Sequence, residues 1–124
     1  MNNTSRVFTT IVNAYIEAFY FADTGEEGQP AKEAEFAPDT LEKIKSDVEL
    51  FLSYAPMIKL NGLGSWTWEQ VGHDLYFTRQ GHGTGFWDKA DTYGSKLITE
   101  QLTSIAEHLG HVEYYQGDDG LIYH

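Results

Sequence analysis

Two histidines, two aspartates and an arginine crowd one stretch of this sequence: His73, Asp74, Arg79, His82 and Asp88 all fall inside the run from Trp66 to Asp88, with glycines at 81, 83 and 85. Imidazole and carboxylate groups are suitable ligands for a divalent ion and suitable carriers of a proton, so His73, Asp74, His82 and Asp88 define a candidate metal or acid/base site. The spacing of His73 and His82 matches neither the close helical nor the finger pattern of a metal motif. The amides of Gly81-His82-Gly83-Thr84-Gly85 could also line an anion nest, with Arg79 and Lys89 supplying charge. That segment has neither the Gly-Lys-Ser/Thr of a P-loop nor the dinucleotide fingerprint. A serine triad has less support, because Ser65, Ser95 and Ser104 stand in no strained elbow.

The reading we prefer is architectural. Polar groups beside a core must find partners, so Asp74, Arg79 and the histidines are expected to bond to loop amides and to one another, bracing the glycine turn against the tryptophans. Trp66, Trp68, Phe86 and Trp87 are read as core aromatics pinning that loop; the alternative is exposed anchors for a protein partner.

The elements that must position this stretch follow from periodicity. Phe8, Ile11, Val12, Tyr15, Ile16, Phe19 and Tyr20 recur at three- and four-residue spacing, which predicts an amphipathic helix over 8–20. Residues 22–37 carry Gly25, Gly28, Pro30 and four glutamates with almost nothing to bury, which predicts a flexible acidic loop. Asp39, three residues before Glu42, suggests a capping-box start for a second helix, with Leu41, Ile44, Val48, Phe51 and Leu52 as its stripe and Pro56 near its end. Asn61-Gly62-Leu63-Gly64 breaks the chain. Thr67 and Gln70 suggest a capped short helix reaching about Gly72, and the alternation from Leu75 to Arg79 predicts a strand, with a continued helix as the rival. Asp91 is expected to cap a third long helix with Ile98, Leu102, Ile105 and Leu109 inside, His108 in its last turn and Gly110 beyond it in a left-handed conformation. His111–Gln116, the turn 117–120 with Asp118 and Asp119 as turn formers, and Leu121–His124 predict a hairpin. The expected fold class is α+β: two to three long helices packed on a small antiparallel sheet, its third strand Leu75–Arg79, ending in the C-terminal hairpin.

Composition narrows the function classes. The chain has 124 residues, 41% of them hydrophobic and 15% aromatic, which suits a single domain over 1–124 with a real core. It has no cysteine, so disulfides and thiolate sites are excluded. No apolar run approaches the roughly 20 residues that span a bilayer, and the first residues lack the order of a signal peptide. A cytoplasmic setting is expected.

Nineteen acidic residues face eight basic ones, for a formal net charge of −11. Direct nucleic-acid binding and anionic membranes are disfavoured, since phosphate contacts need clustered Lys and Arg. A basic protein surface is the natural counterpart. Glu26, Glu27, Glu33, Glu35, Asp39, Glu42, Asp47 and Glu49 are the candidate binding face, with Glu17 and Asp23 adding to the acidic N-terminal half. Spaced carboxylates of this kind could imitate the phosphates of DNA; the plain alternative is a solvated surface.

The run Gly72-His73-Asp74-Leu75-Tyr76-Phe77-Thr78-Arg79-Gln80-Gly81-His82-Gly83-Thr84-Gly85-Phe86-Trp87-Asp88 resembles the signature of a family of small proteins encoded by tailed bacteriophages and related mobile elements. The likeness continues through Gly94, Leu97 and the stretch Val112–Tyr123, and more weakly through Tyr15-Ile16-Glu17-Ala18 and Pro38–Lys43. Gln80 and Lys89 depart from the Asn and Arg of that signature. The resemblance covers most of the chain. It carries no assigned activity; it implies a viral or mobile-element product acting in the cytoplasm of a bacterial host. The expectation is therefore an accessory protein, leaning away from catalysis and needing no cofactor, that binds a host or viral protein, foremost one that handles nucleic acid. The rival is an enzyme or a metal- or anion-binding protein centred on His73, Asp74, Arg79, His82 and Asp88.

Overall fold

The computed structural model describes residues 3–55, 66–83 and 85–124. Pro56, the Asn61–Gly64 break, Ser65 and Thr84 lie outside the described residues, as do the first two residues. Five α-helices and a two-stranded sheet are present among those described: α1 (Asn3–Asp23), α2 (Pro38–Tyr54), α3 (Trp68–Arg79), α4 (Ala90–Tyr93), α5 (Lys96–Leu109), β1 (Tyr115–Gln116) and β2 (Ile122–Tyr123), with a single 3-10 turn at Phe86–Asp88. The fold is α+β with more helices than the two to three expected. None of the described helices is long and apolar enough to cross a membrane.

The clearest correction concerns residues 75–79, which continue helix α3 rather than forming a strand. Thr67 starts the helix, as its spacing predicts, by accepting a hydrogen bond from the Gln70 amide at 3.1 Å. Once nucleated the helix does not stop at Gly72, because it is the element buried on most sides: Val71, Gly72, Asp74, Leu75, Tyr76, Thr78 and Arg79 are all inside. A helix wrapped by neighbours has no polar face and shows no amphipathic stripe. Its aromatic and β-branched residues therefore imitate a strand.

Helix α1 lies against α3 and buries Ile11, Val12, Ala14, Tyr15, Ala18 and Phe19. Gly72 sets how near the two helices come, since a Cβ there would stand 2.6 Å from both the Ala14 Cβ and the Ile11 carbonyl oxygen. Helix α2 contributes Ile44, Val48, Phe51 and Leu52, and Phe51 stacks on Phe86 with ring centroids 5.8 Å apart. Asp39 does not cap α2. Ala37 occupies the cap position without a side-chain bond, Pro38 opens the helix, and Asp39 sits in the first turn near the positive end of the helix dipole.

Asp91 likewise does not cap the last long helix. It belongs to the one-turn α4, which Gly94 ends in a left-handed conformation, and Ser95 caps α5 by accepting from the Ile98 amide at 3.2 Å. His108 is in the last turn of α5, and Gly110 follows with φ +85°.

The C-terminal hairpin pairs Tyr115 with Tyr123 and Gln116 with Ile122. Leu75–Arg79 is not its third member. That place belongs to residues 35–37: the Ile122 amide donates to Glu35 O at 2.8 Å, the Ala37 amide donates to Ile122 O at 3.0 Å, and Phe36 bridges Ile122 in parallel. The 22–37 segment thus has more to bury than its composition suggests: Thr24, Pro30, Ala34 and Ala37 are buried, and Tyr20 donates to the Ala34 carbonyl.

Replacing Gly72 with Ala should push α1 and α3 apart and destabilise the protein by about 1–3 kcal/mol, an overpacking penalty. Urea unfolding followed by circular dichroism would measure it; an unchanged midpoint would refute the close-approach role.

Candidate functional site

The residues of the central run point in different directions once α3 is formed. Arg79 is buried, with its side chain almost wholly out of solvent, and makes four bonds. Its Nη2 meets Asp47 of α2 at 2.6 Å and the Leu109 carbonyl at 3.3 Å; its Nε donates to the Gly110 carbonyl at 2.6 Å; its Nη1 donates to the Tyr15 hydroxyl at 3.3 Å. The last two carbonyls lie at the C-terminal end of α5, where partial negative charge collects. One guanidinium therefore ties α3 to α1, α2 and α5.

Asp74 is also buried, and it pairs with Lys89 and accepts from the Tyr93 hydroxyl at 2.7 Å. Both cations proposed for an anion nest, Arg79 and Lys89, are thus engaged by internal carboxylates. His73 turns outward to Glu17 of α1 at 2.8 Å. Gly83 and Asp88 are exposed, Gly85 is buried against Thr78, and the Thr78 hydroxyl accepts from the Phe86 amide at 3.0 Å. Trp87 stands 56% exposed, outside the core that was expected to hold it, whereas Trp66 and Trp68 pack partly buried and meet edge to face at 4.7 Å. His73, Asp74, His82 and Asp88 are not brought together. Among the described residues no group of three or more His, Asp or Glu side chains could hold a metal ion.

His82 is delivered to a different site. Gly81, with φ +73°, closes α3 in a Schellman arrangement: its amide donates to Thr78 O at 3.2 Å and the His82 amide donates to Phe77 O at 2.9 Å. This turn carries the His82 ring to the end of α1, where Nε2 meets Asp23 Oδ2 at 3.0 Å. The same carboxylate oxygen accepts from the Tyr76 hydroxyl. Asp23, Tyr76 and His82 then line a cleft of about 230 Å³ with Phe19, Gln80 and Tyr114. Gln80 clamps the far wall, donating to Val112 O at 2.6 Å and accepting from the Val112 amide at 2.9 Å.

Four tyrosines around this centre hold their protons strongly. Burial pushes the Tyr15 hydroxyl up, the nearby Arg79 charge notwithstanding. Burial also raises Tyr76, Tyr93 and Tyr114, reinforced by Asp23, by Asp74 and by Tyr15 respectively. The Tyr15 and Tyr114 hydroxyls bond to each other at 2.7 Å.

Of the candidate acidic face, Glu26, Glu27, Glu33, Glu35, Asp39, Glu42 and Glu49 are exposed, but Asp47 is not; it is buried between Lys43, at 2.9 Å, and Arg79. Asp23 also leaves the surface group and enters the cleft. Its position held a signal, because an acidic residue in the last turn of a helix meets the dipole unfavourably unless a specific donor holds it there. Tyr15 and Tyr114 carried a weaker one, since a tyrosine in an apolar stripe must still satisfy its hydroxyl.

No protein-family model, curated protein or solved structure matches this chain.

The tyrosines set an alkaline limit. With folded values above the ordinary value near 10, their contribution to stability is complete below about pH 10 and is lost as pH rises beyond it, because the unfolded chain then releases protons that the folded chain keeps. An absorbance titration at 295 nm should show Tyr15, Tyr76, Tyr93 and Tyr114 ionising only together with unfolding. Smooth ionisation of all eight tyrosines in a still-folded protein would contradict the buried network.

Proposed function

We propose that this chain is a small acidic accessory protein of phage type that works in the cytoplasm of a bacterial host by binding a basic surface of another protein, foremost one that handles nucleic acid. The observation that carries the reading is the division of its charges. Glu26, Glu27, Glu33, Glu35, Asp39, Glu42 and Glu49 are exposed along the 22–37 segment and α2, and none of them is in an ion pair among the described residues. Among the described cations, Arg79 and Lys43 are held on Asp47, Lys89 on Asp74 and Lys96 beside Glu100, which leaves Arg6, Lys32 and Lys45 against these seven carboxylates. With a net charge of −11 the outward field attracts cationic surfaces, and carboxylates presented along a helix and the segment before it supply the repeated negative charge that a nucleic-acid cleft accepts.

Such binding is steered by charge and weakens as salt screens it. Capture of a partner from host lysate should fall at least ten-fold between about 50 and 300 mM salt. Joint reversal of Glu26, Glu27, Glu33 and Glu35 to Lys should abolish it while leaving the fold intact. Salt-independent capture that survives the reversal would refute the reading.

A further inference from the structure

The end of α1, the 28–30 segment, the end of α3 and residues 111–114 form a cleft that the reading from exposed carboxylates does not use. It is lined by the rings of Phe19, Tyr76 and Tyr114 and by the polar side chains of Asp23, His82, His111 and Glu113. Counting spent and spare hydrogen-bonding atoms shows what it could hold. Asp23 Oδ2 accepts from Tyr76 and from His82 Nε2, which places the His82 proton on Nε2 and leaves Nδ1 an acceptor. His111 Nε2 meets Glu113 Oε1 at 2.9 Å and leaves its Nδ1 in the same state. The Tyr114 hydroxyl is engaged with Tyr15, and both ends of the Gln80 amide are used on Val112. Among the described lining side chains, the spare acceptors are then Asp23 Oδ1, Glu113 Oε2 and two imidazole Nδ1, against the Gln29 amide nitrogen and the second N–H of Gln80 Nε2 as donors.

We propose that this cleft receives an arginine side chain from the basic partner protein. A cavity rich in acceptors and lined by rings matches a planar cation with five N–H donors and a face that stacks on aromatics. An anion would meet carboxylates and lone pairs there. The proposal rests on the basic-partner reading, and Gly28 and Gln29 at the cleft edge follow directly on the exposed Glu26 and Glu27.

The test is a nuclear magnetic resonance titration of the isotope-labelled full chain at low salt with N-acetyl-arginine amide, N-acetyl-lysine amide, inorganic phosphate and hexa-arginine as probes. The arginine probe should shift Gln80, His82, Val112 and Tyr114 signals saturably and bind more tightly than the lysine probe. Glu113→Gln, at an exposed position that should not disturb folding, and Asp23→Asn should each weaken it at least five-fold. Shifts confined to Glu26–Glu35, equal binding by the Glu113→Gln protein, or phosphate occupying the cleft would overturn the proposal. If hexa-arginine binding persists in the cleft variants but vanishes on reversal of Glu26, Glu27, Glu33 and Glu35, the cleft assignment fails and the basic-partner reading stands. If hexa-arginine binds no form of the protein, both fail.

Discussion

The fold converges on one buried charge. Arg79 cannot lose its proton in a protein interior, so a chain that buries it must surround it with acceptors. Those acceptors come from three other elements: the Asp47 carboxylate of α2, the carbonyls that end α5, and the Tyr15 hydroxyl of α1. The two carbonyls would otherwise lack an intrahelical donor, whereas Asp47 also pairs with Lys43 and the Tyr15 hydroxyl also bonds to Tyr114. A buried ion pair of this kind adds little net stability over an apolar replacement, yet breaking it is costly, so it serves to select one arrangement of the helices.

Around this centre the other polar side chains of the run are consumed in the same manner. Asp74 joins α3 to Lys89 and Tyr93, His73 joins it to Glu17, and Gln80 fastens the chain at Val112 on its way to the hairpin. The run that looks most like a reaction centre therefore spends most of its chemistry on architecture. His82 differs: the Gly81 turn brings it, with Asp23, to a cleft whose spare groups include four acceptors from carboxylates and imidazoles. Outward chemistry is left to the exposed carboxylates. Their separation from the internal ion pairs is the feature on which the proposed binding role rests.

Much of this was legible in the residues. The helices α1 and α2 followed from apolar spacing, the Thr67 cap from its relation to Gln70, and the hairpin from Gly117–Gly120 flanked by aromatic and β-branched residues. That Asp74 and Arg79 would need internal partners followed from the cost of burying polar groups, but those partners are Lys89, Tyr93, Asp47, Tyr15 and the carbonyls ending α5, and not, as expected from the sequence, the loop amides or each other. Residues 75–79 misled because a helix packed on most sides carries the composition of a strand. Asp47 misled because its distance from Arg79, 32 positions along the chain, hides their pairing, and a lone aspartate on a helix with lysines looks solvated. Glu35–Ala37 could not be recognised as the strand-like neighbour of Ile122, since its contribution is made through backbone groups that every residue carries.

The direct measurement is a double-mutant cycle on Arg79 and Asp47 by equilibrium unfolding, using Arg79→Met, Asp47→Leu and the pair. If the guanidinium organises the four elements, each single change should destabilise by about 2–4 kcal/mol, and the double variant should recover at least about 1.5 kcal/mol of their sum. Effects that simply add, to within about 0.5 kcal/mol, would mean that the pair does not couple the helices.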